Sequence, residues 1–340
     1  MVKKENMAEE LQIRIYGDAS LPTLVYLPGL HGDWTLIGGF RHVVAGRARF
    51  VEFTYPRTVT WSLDDYAAAV ESALARNGIT SGWLLGESFG SQVLWALVGR
   101  GRFPADGAIL AGGFVKHPLR WAVRLAEKAT GWISDAAVVR IIFAYAKIAR
   151  FRYRRSPETL ANLDEFIARR TPADRLAAQH RLRLIAENDP RPIARATPLP
   201  VFALTGVSDP IVPWPWVRHW LRGNCRALRD CRIIWSADHN VLSTAPRKAV
   251  RQVLDWMTLT GPETAVAKRS LAADEPRPSK PVMDCLAEKA GSPRWHEQQP
   301  HCLHGLPSVI FTSTTPVTAI TTGRTAPGRR DRPDTGSWLP

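Results

Sequence analysis

Short apolar runs alternate, over the first 260 residues, with stretches whose apolar positions recur every three or four residues. The first pattern suits strands and the second suits helices. "LQIRIYG" (11–17) alternates apolar and polar positions and predicts an edge strand. "TLVYLPG" (23–29), "ARFVEFTYP" (48–56), "GWLL" (82–85), "GAILAGGF" (107–114), "PVFALTG" (200–206) and "CRIIWS" (231–236) carry short, largely apolar runs. Strands covered on both faces have that character. Between them lie helical stretches. "WTLIGGFRHVVAG" is weakened by Gly38-Gly39. Ser62 stands before "LDDYAAAVESALARNG" with Asp65 three residues on, a capping-box variant, and Gly78 is a stop signal. "FGSQVLWALVG", "WPWVRHWLRG" and "PRKAVRQVLDWM" follow later strands. Strand and helix in regular alternation predict an α/β fold, a doubly wound, mainly parallel sheet with helices on both faces.

Two sections depart from this rhythm. Residues 115–197 show no strand pattern; "WAVRLAEKATGW", "DAAVVRIIFAYAKIARFRYRR", "SPETLANLDEFIARRT" and "ADRLAAQHRLRLIAEN" read as successive helices. Ser156-Pro157 and Thr171-Pro172 suit helix starts with proline at the first helical position. Eleven of the 26 prolines lie beyond Gly261, among Thr, Ser and Arg, and the apolar patch "PSVIFTS" is too short to build a core. The expected organisation is therefore a core in two parts, 1–114 and 198–260, a helical insertion at 115–197, and a low-complexity, disordered tail at 261–340.

Charge adds a question about partners. The formal net charge is +14, and residues 116–195 hold 17 Lys and Arg against 8 Asp and Glu. The densest stretch, "KIARFRYRRSP", interleaves basic residues with Phe and Tyr. A solvated helix face whose arginine stems cover apolar surface is the plain reading. Weak contact with an anionic membrane surface is the alternative. No recognised nucleic-acid module accompanies the patch, so no nucleic-acid partner is expected. The four cysteines, Cys225, Cys231, Cys285 and Cys302, form no C-x-x-C pair and have no histidine at zinc spacing. Free thiols, a cytoplasmic setting, no metal and no cofactor are the expectation. No run of 18 apolar residues predicts a membrane span. "MVKKENMAEELQIRIYG" lacks the apolar stretch of a secretory signal.

The chemistry begins at "WLLGESFGSQVLWALVG" (83–99), where the strand pattern stops at Gly86 and a helix pattern follows. Gly86-Glu87-Ser88-Phe89-Gly90 fits G-x-S-x-G in a strand-to-helix context. A sharp turn there strains the serine backbone, and flanking side chains larger than glycine would strike the neighbouring strand and helix. The turn lifts the hydroxyl to the end of the sheet and aims helix amides at an oxyanion. On these residues the chain resembles the α/β-hydrolase family from about residue 11 to residue 260, as a serine hydrolase or carboxylesterase-like member.

The resemblance implies an acid after a later strand and a histidine after the last. Asp209 follows "VFALTG" in "VSDPIVPWPW", and His239 follows "CRIIWS" in "ADHNVLSTAP". The order Ser88, Asp209, His239 is the family's. His239 would take the proton of Ser88 and return it to the leaving group, while Asp209 fixes the imidazole. Asp238 adjoins His239 too closely in sequence to orient it, Asp64 and Asp65 suit a helix start, and Glu87 reads as a local polar contact. The family also implies two oxyanion amides. Phe89 would give one. In "LPGLHGDW", alignment by strand end gives Leu30 as the other, and alignment by the letters HG gives Asp33; strand-end geometry favours Leu30. His31 is then a structural histidine or lines the site.

By the same resemblance, 115–197 would roof the site as a cap. Trp121, Trp132, Ile141, Phe143 and Tyr145 would face the sheet or the substrate. The implied activity is cleavage of a small apolar carboxylic ester or thioester through an acyl-enzyme. Acyl transfer and other triad chemistry on the same fold, or a binding protein without catalysis, stand as alternatives.

Overall fold

The computed structural model describes residues 10–132, 157–168 and 171–259, with single positions 134, 140, 147 and 150 between them. All described residues belong to one compact unit. Ile141, Phe143, Tyr145 and the whole of 261–340 lie outside the described residues.

Seven strands form one sheet: β1 (Gln12–Tyr16), β2 (Thr23–Leu27), β3 (Arg49–Thr54), β4 (Gly82–Glu87), β5 (Ala105–Ala111), β6 (Val201–Gly206) and β7 (Leu228–Ile234). Their order across the sheet is β1-β3-β2-β4-β5-β6-β7. Only β1 runs antiparallel, paired with β3 at the edge. Among the described residues the helices are α1 (Gly38–Val44), α2 (Leu63–Arg76), α3 (Gly90–Arg100), α4 (Arg120–Trp132), α5 (Pro157–Ala168), α6 (Pro172–Glu187), α7 (Arg191–Ala196), α8 (Trp214–Asn224), α9 (Val241–Thr244) and α10 (Pro246–Leu259).

The apolar runs of the central strands serve two cores, because successive side chains leave a strand on opposite faces. Val25, Leu27, Leu84, Ala108 and Leu110 enter one core with Tyr66, Val70 and Leu74 of α2 and Val93, Leu94 and Leu97 of α3. Leu24, Tyr26, Trp83, Leu85, Ile109 and Ala111 enter the other with Phe40 of α1 and Val250, Val253 and Trp256 of α10. The capping box at α2 is present: Asp65 N donates to Ser62 Oγ at 3.2 Å, and Ser62 N donates to Asp65 Oδ2 at 2.8 Å. α1 starts only at Gly38, after a 3-10 turn at Thr35–Ile37, so the glycine pair marks where one helical form gives way to another.

Helices α4 to α7 occupy the connection between β5 and β6. α4 packs on α6, and α5 packs on the 3-10 turn and α1. α6 is also fixed to the loop after β3. Arg57 Nε donates to Asp174 Oδ1 at 2.9 Å, and His180 Nε2 donates to Trp61 O at 2.8 Å. Trp121 and Trp132 correct one expectation. They are 68% and 88% exposed, and neither lines the cavity that holds Ser88. α4 buries only Val123, so its remaining apolar positions do not form a packed stripe. No helix among the described residues is long and apolar enough to cross a membrane.

Candidate active site

The chain leaves β2 toward β3 on one side of the sheet and returns through β4 on the other. The carboxyl ends of β2 and β4 therefore flank a topological switch point, where open α/β sheets leave a crevice. Ser88 stands at the end of β4. Its φ is +50°, the one positive value outside glycine among the described residues. Such a backbone is strained for a residue with a Cβ and persists only where its surroundings hold it. Here Ser88 N donates to Ala111 O of β5 at 3.1 Å, and Ser88 O accepts from Ser91 Oγ at 2.6 Å.

The flanking glycines are required by close approach. A Cβ on Gly86 would sit 2.8 Å from Gly90 O, and one on Gly90 would sit 2.0 Å from Leu27 O of β2. The neighbouring helix excludes a side chain at the first position and the neighbouring strand excludes one at the second.

Ser88, Asp209 and His239 come together from three loops. Ser88 Oγ lies 2.9 Å from His239 Nε2, and His239 Nδ1 lies 2.8 Å from Asp209 Oδ2. The Asp209 side chain is fully buried, and its Oδ1 accepts from Ile211 N and Val212 N, both at 2.9 Å. Asp238 Oδ1 instead accepts from Asn240 N at 3.0 Å in a local turn. A carboxylate that accepts from one imidazole nitrogen leaves the other nitrogen free to take a hydroxyl proton.

Of the remaining candidates, Leu30 and His31 line the same cavity as Ser88. A Cβ on Gly29 would lie 3.5 Å from Ser88 Cβ, which puts the loop after β2 against the serine. Asp33 is 4% exposed, and its Oδ1 accepts from both Thr35 N and Thr35 Oγ1. Phe89 is buried, with its ring edge-on to Tyr55 and Tyr66. Glu87 is 3% exposed and accepts from Tyr26 OH at 2.5 Å, the local contact expected of it. Asp64 and Asp65 lie in the first turn of α2, remote in role from the serine.

The cavity holds about 410 Å³ and is walled mainly by apolar side chains. Val123 of α4, Phe166 of α5 and Leu182 and Ile185 of α6 line it together with Ser88 and His239. His117, in the loop after β5, also lines it. Its ring stands edge-on to Phe114 at 4.9 Å, and burial pushes its pKa below the usual histidine value. The sequence carried no distinguishing signal for His117 beyond its place after a strand. Phe166 and Leu182 sit on helices whose facing direction spacing alone does not give. Among the described residues no group of His, Cys, Asp and Glu has the arrangement of a metal site.

Neither family models nor curated protein sequences yield a match to this chain. Solved structures do. A hydrolase from Pseudomonas aeruginosa PA01 aligns at a TM-score of 0.61 with 14% identity, over 73% of this chain and 94% of its own. An esterase from Rhodococcus sp. ECU1013 aligns at 0.57 with 20% identity, over 74% of this chain and 95% of its own. An α/β hydrolase from a Medee basin deep-sea metagenome library aligns at 0.58 with 13% identity, over 74% and 95%. At these identities the likeness is one of architecture, and by it the chain has the α/β-hydrolase fold.

Proposed function

We propose that the protein is a serine hydrolase that cleaves a small, apolar carboxylic ester or thioester through an acyl-enzyme. The observation that carries this reading is the line Ser88–His239–Asp209, at 2.9 and 2.8 Å, opening into an apolar cavity. Ser88 Oγ attacks the carbonyl carbon as its proton passes to His239 Nε2. Asp209 keeps the Nδ1 proton in place and stabilises the imidazolium. The tetrahedral oxyanion is held by main-chain amides. Phe89 supplies one, at the start of α3, where the helix end also favours negative charge. Leu30 supplies the other; it lines the cavity beside Ser88, where Asp33 does not, and Gly29 next to it lies close to Ser88. The imidazolium then gives its proton to the leaving alcohol or thiol. Water repeats the sequence to free the acid.

The helices between β5 and β6 act as the cap. Their Val123, Phe166, Leu182 and Ile185 line the same cavity as Ser88, and apolar lining suits an aliphatic or aromatic acyl chain. The neighbours called esterases and hydrolases support the same class of reaction. A fluorophosphonate probe tests the reading directly. The wild type should be labelled once per chain and lose ester hydrolysis in step, and the Ser88→Ala variant should take no label. A folded wild type that stays unlabelled would remove Ser88 as nucleophile.

A further inference from the structure

We propose that Arg181 is a positioning residue for the Leu30 amide, a strut from the insertion that holds the loop after β2 in register with Ser88. The inference rests on the reading of Ser88 as nucleophile and of Leu30 as an oxyanion donor.

Arg181 lies on α6 and is 2% exposed. Taking a guanidinium out of water is expensive unless its donors are met; here two of its three nitrogens are met, and Nε has no partner among the described residues. Nη1 donates to Leu30 O at 2.9 Å, and Nη2 donates to Pro56 O at 3.1 Å. The planar fork thus spans two loops, those after β2 and β3, at a fixed spacing that a flexible ammonium would not impose. The cation also faces the Tyr55 ring, 5.7 Å from its centroid.

The seat is shaped for this group. Gly32 has φ +79°, and a Cβ there would lie 2.3 Å from Arg181 Nη1 and 2.5 Å from Cζ. The guanidinium therefore rests directly on the glycine backbone. The same short loop is closed by Gly32 N donating to Gly29 O at 2.9 Å, and tied to β3's exit by Tyr55 N donating to Gly32 O at 2.7 Å. The Leu30 amide thus lies between Gly29, packed on Ser88, and the Leu30 carbonyl, bound to Arg181. Neither bond touches the reacting atoms. Their effect is on where the amide stands.

Arg181 also links substrate binding to the chemistry. Leu182 and Ile185, one and four residues further along α6, line the substrate cavity. The helix that receives the acyl chain is therefore the helix that fixes the loop at Leu30. A loosened Leu30 amide weakens the transition state and leaves ground-state binding nearly intact, because the oxyanion exists only in the former.

The test compares the wild type with Arg181→Met, which keeps an unbranched stem, and Arg181→Lys, which keeps the charge without the fork. The assays are hydrolysis of p-nitrophenyl butyrate, inhibition by an aryl trifluoromethyl ketone, and active-site counting with a fluorophosphonate. For Arg181→Met, kcat per labelled site should fall about 10- to 100-fold while KM moves less than about threefold. The ketone, whose adduct with Ser88 carries the oxyanion, should weaken by the same factor as kcat/KM. Arg181→Lys should fall between. A merely structural arginine would lower the number of labelled sites and leave kcat per site unchanged; that result, or a loss carried by KM alone, overturns the proposal. Failure of both variants to fold would equally overturn it in favour of a structural role. An unlabelled, inactive wild type would instead remove the Ser88 reading, and this inference with it.

Discussion

Replacing Asp209 with asparagine separates the geometry of the site from its proton chemistry. Asp209 Oδ1 accepts two amides, Ile211 N and Val212 N, at 2.9 Å each, and Oδ2 faces His239 Nδ1 at 2.8 Å. Asparagine can keep the two amide bonds only by leaving its oxygen in the Oδ1 place. Its NH2 group then faces Nδ1 and can only donate. Nδ1 must become an acceptor, so the imidazole hydrogen moves to Nε2. That nitrogen can then no longer take the Ser88 proton. In Ser-His-Asp sites this change of tautomer costs about 10⁴ in kcat, equivalent to about 5.5 kcal/mol of barrier.

Stability should respond far less. Asp209→Asn keeps both amide bonds and trades one charge-assisted contact for a neutral one, at a cost of about 1–2 kcal/mol. Asp209→Ala leaves Ile211 N and Val212 N without their acceptor, at about 1–3 kcal/mol for each group that stays buried. The expected pair of results is a folded, nearly inactive Asp209→Asn and a destabilised, inactive Asp209→Ala. Urea denaturation gives the stabilities, and initial rates on p-nitrophenyl butyrate give kcat. An Asp209→Asn variant within about tenfold of wild-type kcat would refute the argument, since a tautomer change cannot be that mild.

Other expectations follow from the same geometry. Across p-nitrophenyl esters from acetate to butyrate, kcat/KM should rise about fourfold per methylene, the rate equivalent of about 0.8 kcal/mol per buried CH2; a flat or falling series would show that the acyl chain does not enter the apolar cavity. Gly90→Ala brings a Cβ to 2.0 Å from Leu27 O, so α3 and β2 must part, and urea unfolding should register a loss of at least about 2 kcal/mol. Burial lowers the pKa of His117 from 6.5, while the unfolded chain takes up a proton near that value. The unfolded state then binds more protons, so this residue's contribution to stability is complete above pH 6.5 and declines as pH falls below it. His117→Gln should accordingly lose less in melting temperature than the wild type between pH 7.5 and pH 5.5 (thermal scans, about 1 °C or more apart). An equal loss in both would mean that His117 does not titrate differently on folding.

The parts of this molecule that could be read in advance are those whose cause is local. The turn at Ser88 needs small neighbours because β2 and α3 pass close by, and that need is written as two glycines around one serine. Asp209 and His239 stand out only through the family resemblance, which implies an acid and a histidine in loops after later strands; the apolar runs of those strands mark where the loops begin. The beginning of β7 is less legible. It starts at Leu228, three residues before the apolar run, because Arg229 and Asp230 are accommodated on an edge strand where one side faces water. Helix α7 carries no periodic signal: "RPIARA" is six residues long and bounded by Pro190 and Pro198, too short for any period to show.

Arg181 marks a different limit. In the sequence it is one of 17 basic residues in the insertion, at a helical position like those of Arg175 and Arg183. Arg183 pairs with Glu127 near solvent and is 52% exposed at its side chain, as the reading of a solvated face expected. Arg181, two residues away, is buried because its partners lie elsewhere in the chain: Leu30 is 151 residues upstream and Pro56 is 125. Helical periodicity reports which residues share a face; it carries nothing about what that face meets. Only where Gly32 leaves a bare backbone can the guanidinium lie down. In "LPGLHGDW", Gly32 belongs to the letters HG of the alternative alignment, the one that gives Asp33 rather than Leu30. Its geometric role is the seat of a charge delivered by the insertion. On the proposed reading, this ties a long connection outside the core, the kind of segment that varies most, to the placement of one amide beside Ser88.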